Sequence, residues 1–127
     1  MRIRGFGELE ADVIDRIWKR EEDVATSVRE IYEEMSTERN IAYTTVMSTM
    51  DNLHTKGWLS RERDGKAYRY RPTLTREEYS AKLMREALDG GGHPELVLTH
   101  FIEQMGTEES ESIRQALRRH SRRMGKR

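Results

Sequence analysis

The chain has 127 residues, enough for one compact domain or for a small domain with an extension that needs a partner, because a small core buries too little surface alone. Hydrophobic residues make up 35% and charged residues 36%, a low apolar share for a monomer, and the formal net charge is zero. With no cysteine, disulfide frameworks, thiolate metal sites and cysteine nucleophiles are excluded; no apolar run approaches a membrane span or signal-peptide core, so the chain is read as cytoplasmic without membrane insertion.

Leu9, Val13, Ile14, Ile17 and Trp18 recur at helical spacing, which predicts an amphipathic helix over residues 7–20. After an acidic loop, Ser27 and Glu30 match a capping box opening a second helix, with Val28, Ile31, Tyr32 and Met35 on one face and an end near Ser36. The run AYTTVMSTMDNLHTKG reads as a third helix without an evident N-cap, ending at Gly57, where a left-handed cap suits glycine. The pattern then turns strand-like. WLSRER and KAYRYR around Asp64-Gly65 predict a two-stranded hairpin, with Leu59, Tyr68 and Tyr70 against the helices and Pro72 at its end. Thr75 and Glu78 form a second capping box before a helix carrying Tyr79, Leu83, Met84, Ala87 and Leu88, which Gly90, Gly91 and Gly92 break. Pro94 suits the first turn of the next helix, with Leu96, Val97, Leu98, Phe101, Ile102 and Met105, and Thr107 is expected to cap the last, with Ile113, Ala116 and Leu117.

This order predicts a mainly α fold with a small β-wing: a winged helix-turn-helix over 1–72, a helical dimerisation region over 73–120, and a basic tail over 121–127 that is expected to be disordered. Tyr79, Leu83, Leu88, Leu98, Phe101, Ile102, Ile113 and Leu117 are too many apolar side chains for so few residues to bury, so a twofold homodimer interface is expected there.

Zero net charge argues at first against a nucleic-acid partner, but the charges are segregated. Residues 21–38 are acidic apart from Arg29; the hairpin carries Arg61, Arg63, Lys66, Arg69 and Arg71; and no acid follows Arg114. On a wheel of about 3.6 residues per turn, Thr44, Thr45, Ser48 and Asn52 share one polar sector of the third helix, while Val46, Met50 and Leu53 form another. Small hydroxyl side chains let a helix approach base edges, threonine methyls suit thymine, and asparagine can bond adenine bidentately. Arg61, Arg63 and Lys66 near the wing tip are read as DNA backbone contacts, which give affinity without sequence information.

Other chemistries find no residues. Trp18, Trp58, Tyr68 and Tyr70 are better spaced as core plates beneath the wing than as a stacking platform. His54, His93, His100 and His120 make no pair at ligand spacing within one element, so no metal is expected; no catalytic motif occurs, and neither an enzymatic role nor a cofactor is expected. The leading reading of these residues is a sequence-specific reader of double-stranded DNA. The alternative is a winged-helix interaction module with an acidic protein partner.

GELEADVIDRIW, VREIYEEM, AYTTVMSTMDNLHTKGWL, RDGKAYRYRP and LVLTHFIEQMGTEESESIRQAL together resemble the penicillinase-repressor and methicillin-resistance-repressor family (BlaI/MecI/CopY type), over nearly the whole chain and especially its actinobacterial members. The resemblance implies a winged-helix dimer repressing antibiotic-resistance or stress genes from pseudo-palindromes with TACA and TGTA half-sites. By position it implies base contacts from Thr44, Thr45, Met47, Ser48 and Asn52 and wing contacts from Arg63 and Lys66. It also implies release by cleavage at the His100–Phe101 bond, through a regulatory protease or membrane sensor. Two departures stand out: Thr44, Met47 and Asn52 replace basic residues found in the third helix of some members, and the cysteine cluster of the copper-responsive branch is missing.

Overall fold

Residues 3–21 and 23–125 are described by the structure, a computed structural model. Apolar spacing drives the first helix, α1 (Glu8–Trp18), whose start is held by the Glu10 carboxylate accepting from the Gly7 amide at 3.0 Å. A short strand, β1 (Thr26–Ser27), leads into α2 (Val28–Ser36), where the Glu30 amide donates to the Ser27 hydroxyl at 3.2 Å as the expected cap. Then come α3 (Tyr43–Thr55), β2 (Leu59–Asp64) and β3 (Ala67–Pro72). The reciprocal Thr75–Glu78 box, with bonds of 2.9 and 3.0 Å, opens α4 (Arg76–Gly90). Pro94 occupies the first turn of α5 (Pro94–Glu103), and α6 (Thr107–Gly125) closes the order.

The three strands form one antiparallel sheet in the order β1-β3-β2. β1 has no counterpart among the sequence expectations, because two residues are too few to display alternation; it pairs Thr26 with Tyr70 and Ser27 with Arg69. The hairpin turn also differs. Asp64 pairs with Ala67, so the loop is Gly65-Lys66, one residue later than the expected Asp64-Gly65. Gly65 has φ +66°, and no described non-glycine residue has a positive φ, the combination of a type II′ turn with glycine first.

Ile14 and Ile17 from α1, Ile31 and Met35 from α2, and Val46, Met50 and Leu53 from α3 close on Leu59 and Tyr70 of the sheet in one buried cluster. Each such side chain contributes roughly 1.5–3 kcal/mol on leaving water. Outside this cluster, Asp12 and Glu34 hold Arg16, and Glu34 holds Arg20, joining α1 to α2.

The chain divides into two compact units, the first ending at Ser80 and the second beginning at Ala81, later than the expected boundary at residue 72. Tyr79 is the reason. Its ring stands 5.2 Å from Phe6, 5.1 Å from Trp58 and 5.6 Å from Trp18, its hydroxyl donates to the Arg4 carbonyl, and it is only 3% exposed. The box admits little change: a Cβ on Gly5, where φ is +90°, would sit 2.7 Å from the Tyr79 hydroxyl. Trp18 donates to the Leu74 carbonyl at 2.9 Å, and the buried Asp15 pairs with Arg76, so the first turn of α4 belongs to the first unit. The expectation that Tyr79 serves a dimer interface is therefore corrected: its surface is already covered. Tyr70 lies in the core with Tyr68 packed against it, and Trp18 and Trp58 pack against the same core around Tyr79, so all four serve as core plates as expected.

In the second unit α5 and α6 bury no described side chain. Thr107 is the first residue of α6, not its cap; the Gly106 amide instead donates to the Glu109 carboxylate at 3.3 Å. The helix also runs on to Gly125, where disorder was expected from residue 121, since arginines are good helix formers and cations suit a helix C-terminus. Lys126 and Arg127 of that basic tail lie outside the described residues. No described helix is long and apolar enough to cross a membrane.

Candidate nucleic-acid interface

Two hydrogen bonds stop α3 and turn the chain into the wing. Gly57, with φ +88°, donates from its amide to the His54 carbonyl, and the Trp58 amide donates to the Leu53 carbonyl, both at 2.9 Å. His54 Nδ1 also lies 2.9 Å from the Leu59 carbonyl oxygen, tying the helix end to β2. The start of α3 has no side-chain cap, as its sequence suggests.

Within those limits α3 has two faces. Val46, Met50 and Leu53 are buried, and Thr49 turns its hydroxyl back to the Thr45 carbonyl at 2.8 Å. Thr44, Thr45, Met47, Ser48 and Asn52 are all exposed, as one surface. Among the described residues none of their side-chain polar groups is held by another part of the chain. Met47 is 44% exposed, a flexible apolar side chain on an otherwise polar face that carries no cation and whose one carboxylate is Asp51.

The wing cations divide into two kinds. Lys66 is at the hairpin tip, exposed, with no carboxylate partner among the described residues; Arg63 has only a 3.4 Å bond to the Gly65 carbonyl and the Tyr68 ring at 5.5 Å. Arg61 is on the helix-facing side of β2, opposite Tyr70. It donates to the Tyr70 hydroxyl at 3.3 Å and the Asp51 carboxylate at 2.7 Å and lies 4.1 Å over the Tyr68 ring. The bond to Tyr70, then that to Asp51, raises its pKa above the ordinary arginine range. Arg61 was expected to meet phosphate beside Arg63 and Lys66; its guanidinium instead fastens the wing to α3. Arg69 is likewise occupied, at 2.6 Å from Asp64 and 3.4 Å from Glu30, and Arg71 donates to the Asp23 carbonyl at 2.6 Å.

Sequence reasoning missed two residues at the first turn of α3. Tyr43 is exposed and edge-on to Tyr32, ring centres 5.4 Å apart, and the exposed Arg29 of α2 sits 5.7 Å over the Tyr43 ring. The one signal available was Arg29 as the lone base of an acidic segment.

In the second unit Leu98, Phe101, Ile102, Ile113 and Leu117 are exposed, and Leu83 and Leu88 half-buried. Met84, Leu88, Val97, Leu98 and Phe101 line an apolar groove between α4 and α5. The His100–Phe101 bond lies within α5, with His100 3.3 Å from Glu103 and Phe101 43% exposed.

The family model for the penicillinase repressor matches residues 6–119. Over 119 residues the chain is 37% identical to the transcriptional regulator BlaI of two Mycobacterium tuberculosis strains, covering 91% of this chain and 85% of theirs. Among solved structures, the DNA-binding domain of the repressor BlaI superposes with a TM-score of 0.51 at 23% identity, covering 61% of this chain and 92% of that one, which is a likeness of fold.

Proposed function

Because the chain belongs to the penicillinase repressor family, we propose that it is a transcriptional repressor that reads a pseudo-palindromic operator as a homodimer. The relatives it matches are named transcriptional regulators, and the chain is not an enzyme. The observation that carries the reading is the exposed polar face of α3, opposite its buried Val46, Met50 and Leu53, which carries no cation and whose one carboxylate, Asp51, is taken by Arg61 of the wing. Seated in a major groove, Thr44, Thr45, Ser48 and Asn52 meet base edges, and Met47 adds apolar contact to a thymine methyl. Lys66 and Arg63 meet phosphates on the flank, and Arg61 holds the wing in place for them.

Dimerisation falls to the second unit, where Leu83, Leu88, Leu98, Phe101, Ile102, Ile113 and Leu117 need a twin's equivalents to leave water. Two linked readers then occupy two half-sites, of the TACA and TGTA kind implied by the resemblance, at the effective concentration the linkage supplies. Control of antibiotic-resistance or stress genes is the matching role, with release by a protease, itself answering to a membrane sensor, at His100–Phe101. That bond is exposed but helical, so α5 has to unravel locally before a protease can grip it.

The test is to recover duplex fragments that the full chain retains from its own genome and to titrate them at rising ionic strength. The expected result is one preferred sequence and an affinity that falls steeply with salt. Retention of no duplex, with capture of an acidic protein instead, overturns the reading. Mass spectrometry on cells exposed to a β-lactam tests release: a fragment ending at His100 is expected as target genes switch on, and induction with the chain intact refutes it.

A further inference from the structure

We infer that Arg29 and Tyr43 form a second phosphate anchor, which grips the DNA backbone at the opposite end of α3 from the wing's attachment. The inference rests on the DNA-binding reading above and adds residues to it. Within the first unit, Arg16, Lys19, Arg20, Arg39, Lys56, Arg61, Arg69, Arg71 and Arg76 are each paired with a carboxylate. Among the described residues Arg29 has no such partner, although Glu30 is adjacent and Glu33 one helical turn away. The Glu30 carboxylate is turned away from it, 3.2 Å from the Ser27 hydroxyl and 3.4 Å from Arg69.

A cation in the first turn of α2 also opposes the helix dipole, so α2 gains nothing from it. What Arg29 has is the face of Tyr43, which restrains a long, flexible side chain and leaves its donors outward. Tyr43 is in turn braced edge-on by Tyr32. Eight residues along α3, about 12 Å at a rise of ~1.5 Å per residue, Asp51 receives Arg61 of the wing. Among the described residues Arg4, Arg29, Arg63 and Lys66 are the first unit's cations without a carboxylate partner. Of these, Arg29 and, through the wing, Arg63 and Lys66 bracket a helix that has no lysine or arginine of its own and whose one carboxylate, Asp51, is taken by Arg61. A guanidinium presenting two parallel donors suits phosphodiester oxygens, and each phosphate so met releases a counterion.

The experiment is a salt titration of the full chain on an end-labelled random-sequence duplex, comparing wild type with Arg29→Ala, Arg29→Lys and Lys66→Ala. Arg29→Ala is expected to make the slope of log affinity against log salt shallower by ~0.9, the value of one lost phosphate contact, with Arg29→Lys keeping the wild-type slope. A slope unchanged in Arg29→Ala but shallower in Lys66→Ala overturns the second anchor and leaves the DNA-binding reading standing. A wild type without salt-dependent duplex binding overturns both. Arg29 is exposed and holds no core contact, so the melting curve of each variant is expected to match wild type, and a melt lowered in Arg29→Ala but not in Arg29→Lys would reassign Arg29 to folding.

Discussion

The two units of this chain solve opposite problems. The first closes a core from three helices and a sheet, fills it with Ile14, Ile31, Met50, Leu53 and Tyr70, and has one face of α3 left over. In the second, no described side chain of α5 or α6 is buried, and Leu117 remains 62% exposed. A ten-residue helix without a side-chain cap, as α5 is, is marginal on its own, so these helices need their apolar faces covered to be stable. One unit is finished and offers a polar surface; the other is unfinished and offers an apolar one.

Substitutions should fail accordingly, and the largest loss belongs to the finished unit. Leu53→Ala removes a fully buried side chain and is expected to cost ~2–5 kcal/mol in denaturant unfolding, because the site cannot collapse around the void. An equal truncation at the exposed Leu117 that cost the isolated monomer as much would break the comparison. Next is Phe101→Glu, expected to leave the winged helix folded by circular dichroism while weakening operator binding at least about tenfold through lost avidity. Asn52→Ala is expected to cost ~1–3 kcal/mol on the operator and much less on random DNA, so equal losses on both duplexes would remove it from base reading.

The smallest effect is acid-dependent. Burial pushes the Glu10 carboxyl up, but hydrogen bonds from Lys56, at 2.7 Å, and from the Gly7 amide more than offset this, leaving its pKa below the ordinary value. A depressed carboxylate stabilises the fold above its unfolded-state pKa, and that contribution is lost as pH falls through the folded-state value. Lys56→Met is thus expected to lower stability near neutrality and to flatten the loss below about pH 4.5, the ordinary value for this carboxyl. An acid limb unchanged in thermal melts would take the pair out of the account.

The finished unit was also the more legible in sequence. Each of its helices repeats apolar residues at helical spacing, and Gly57 marks the end of α3. Its errors came from signals that spacing does not carry. β1 is two residues long, the turn register depended on the backbone geometry of Gly65, and the core role of Tyr79 depended on Phe6, Trp18 and Trp58 arriving from distant parts of the chain. The polar face of α3 could be read from a wheel, because it depends on periodicity alone. Which wing cations were free could not: Arg61 and Lys66 look alike until Asp51 and Tyr70 are seen to claim the first. In the second unit the apolar residues were visible in the sequence, but only the fold leaves them outside.

Sedimentation equilibrium of the intact wild-type chain at micromolar concentration tests the central contrast most directly. The account predicts a mass twice that of one chain, reduced to a single chain's mass in Phe101→Glu. A wild type that sediments as a monomer would contradict it, because the apolar faces of α5 and α6 would then stand in water with nothing to cover them.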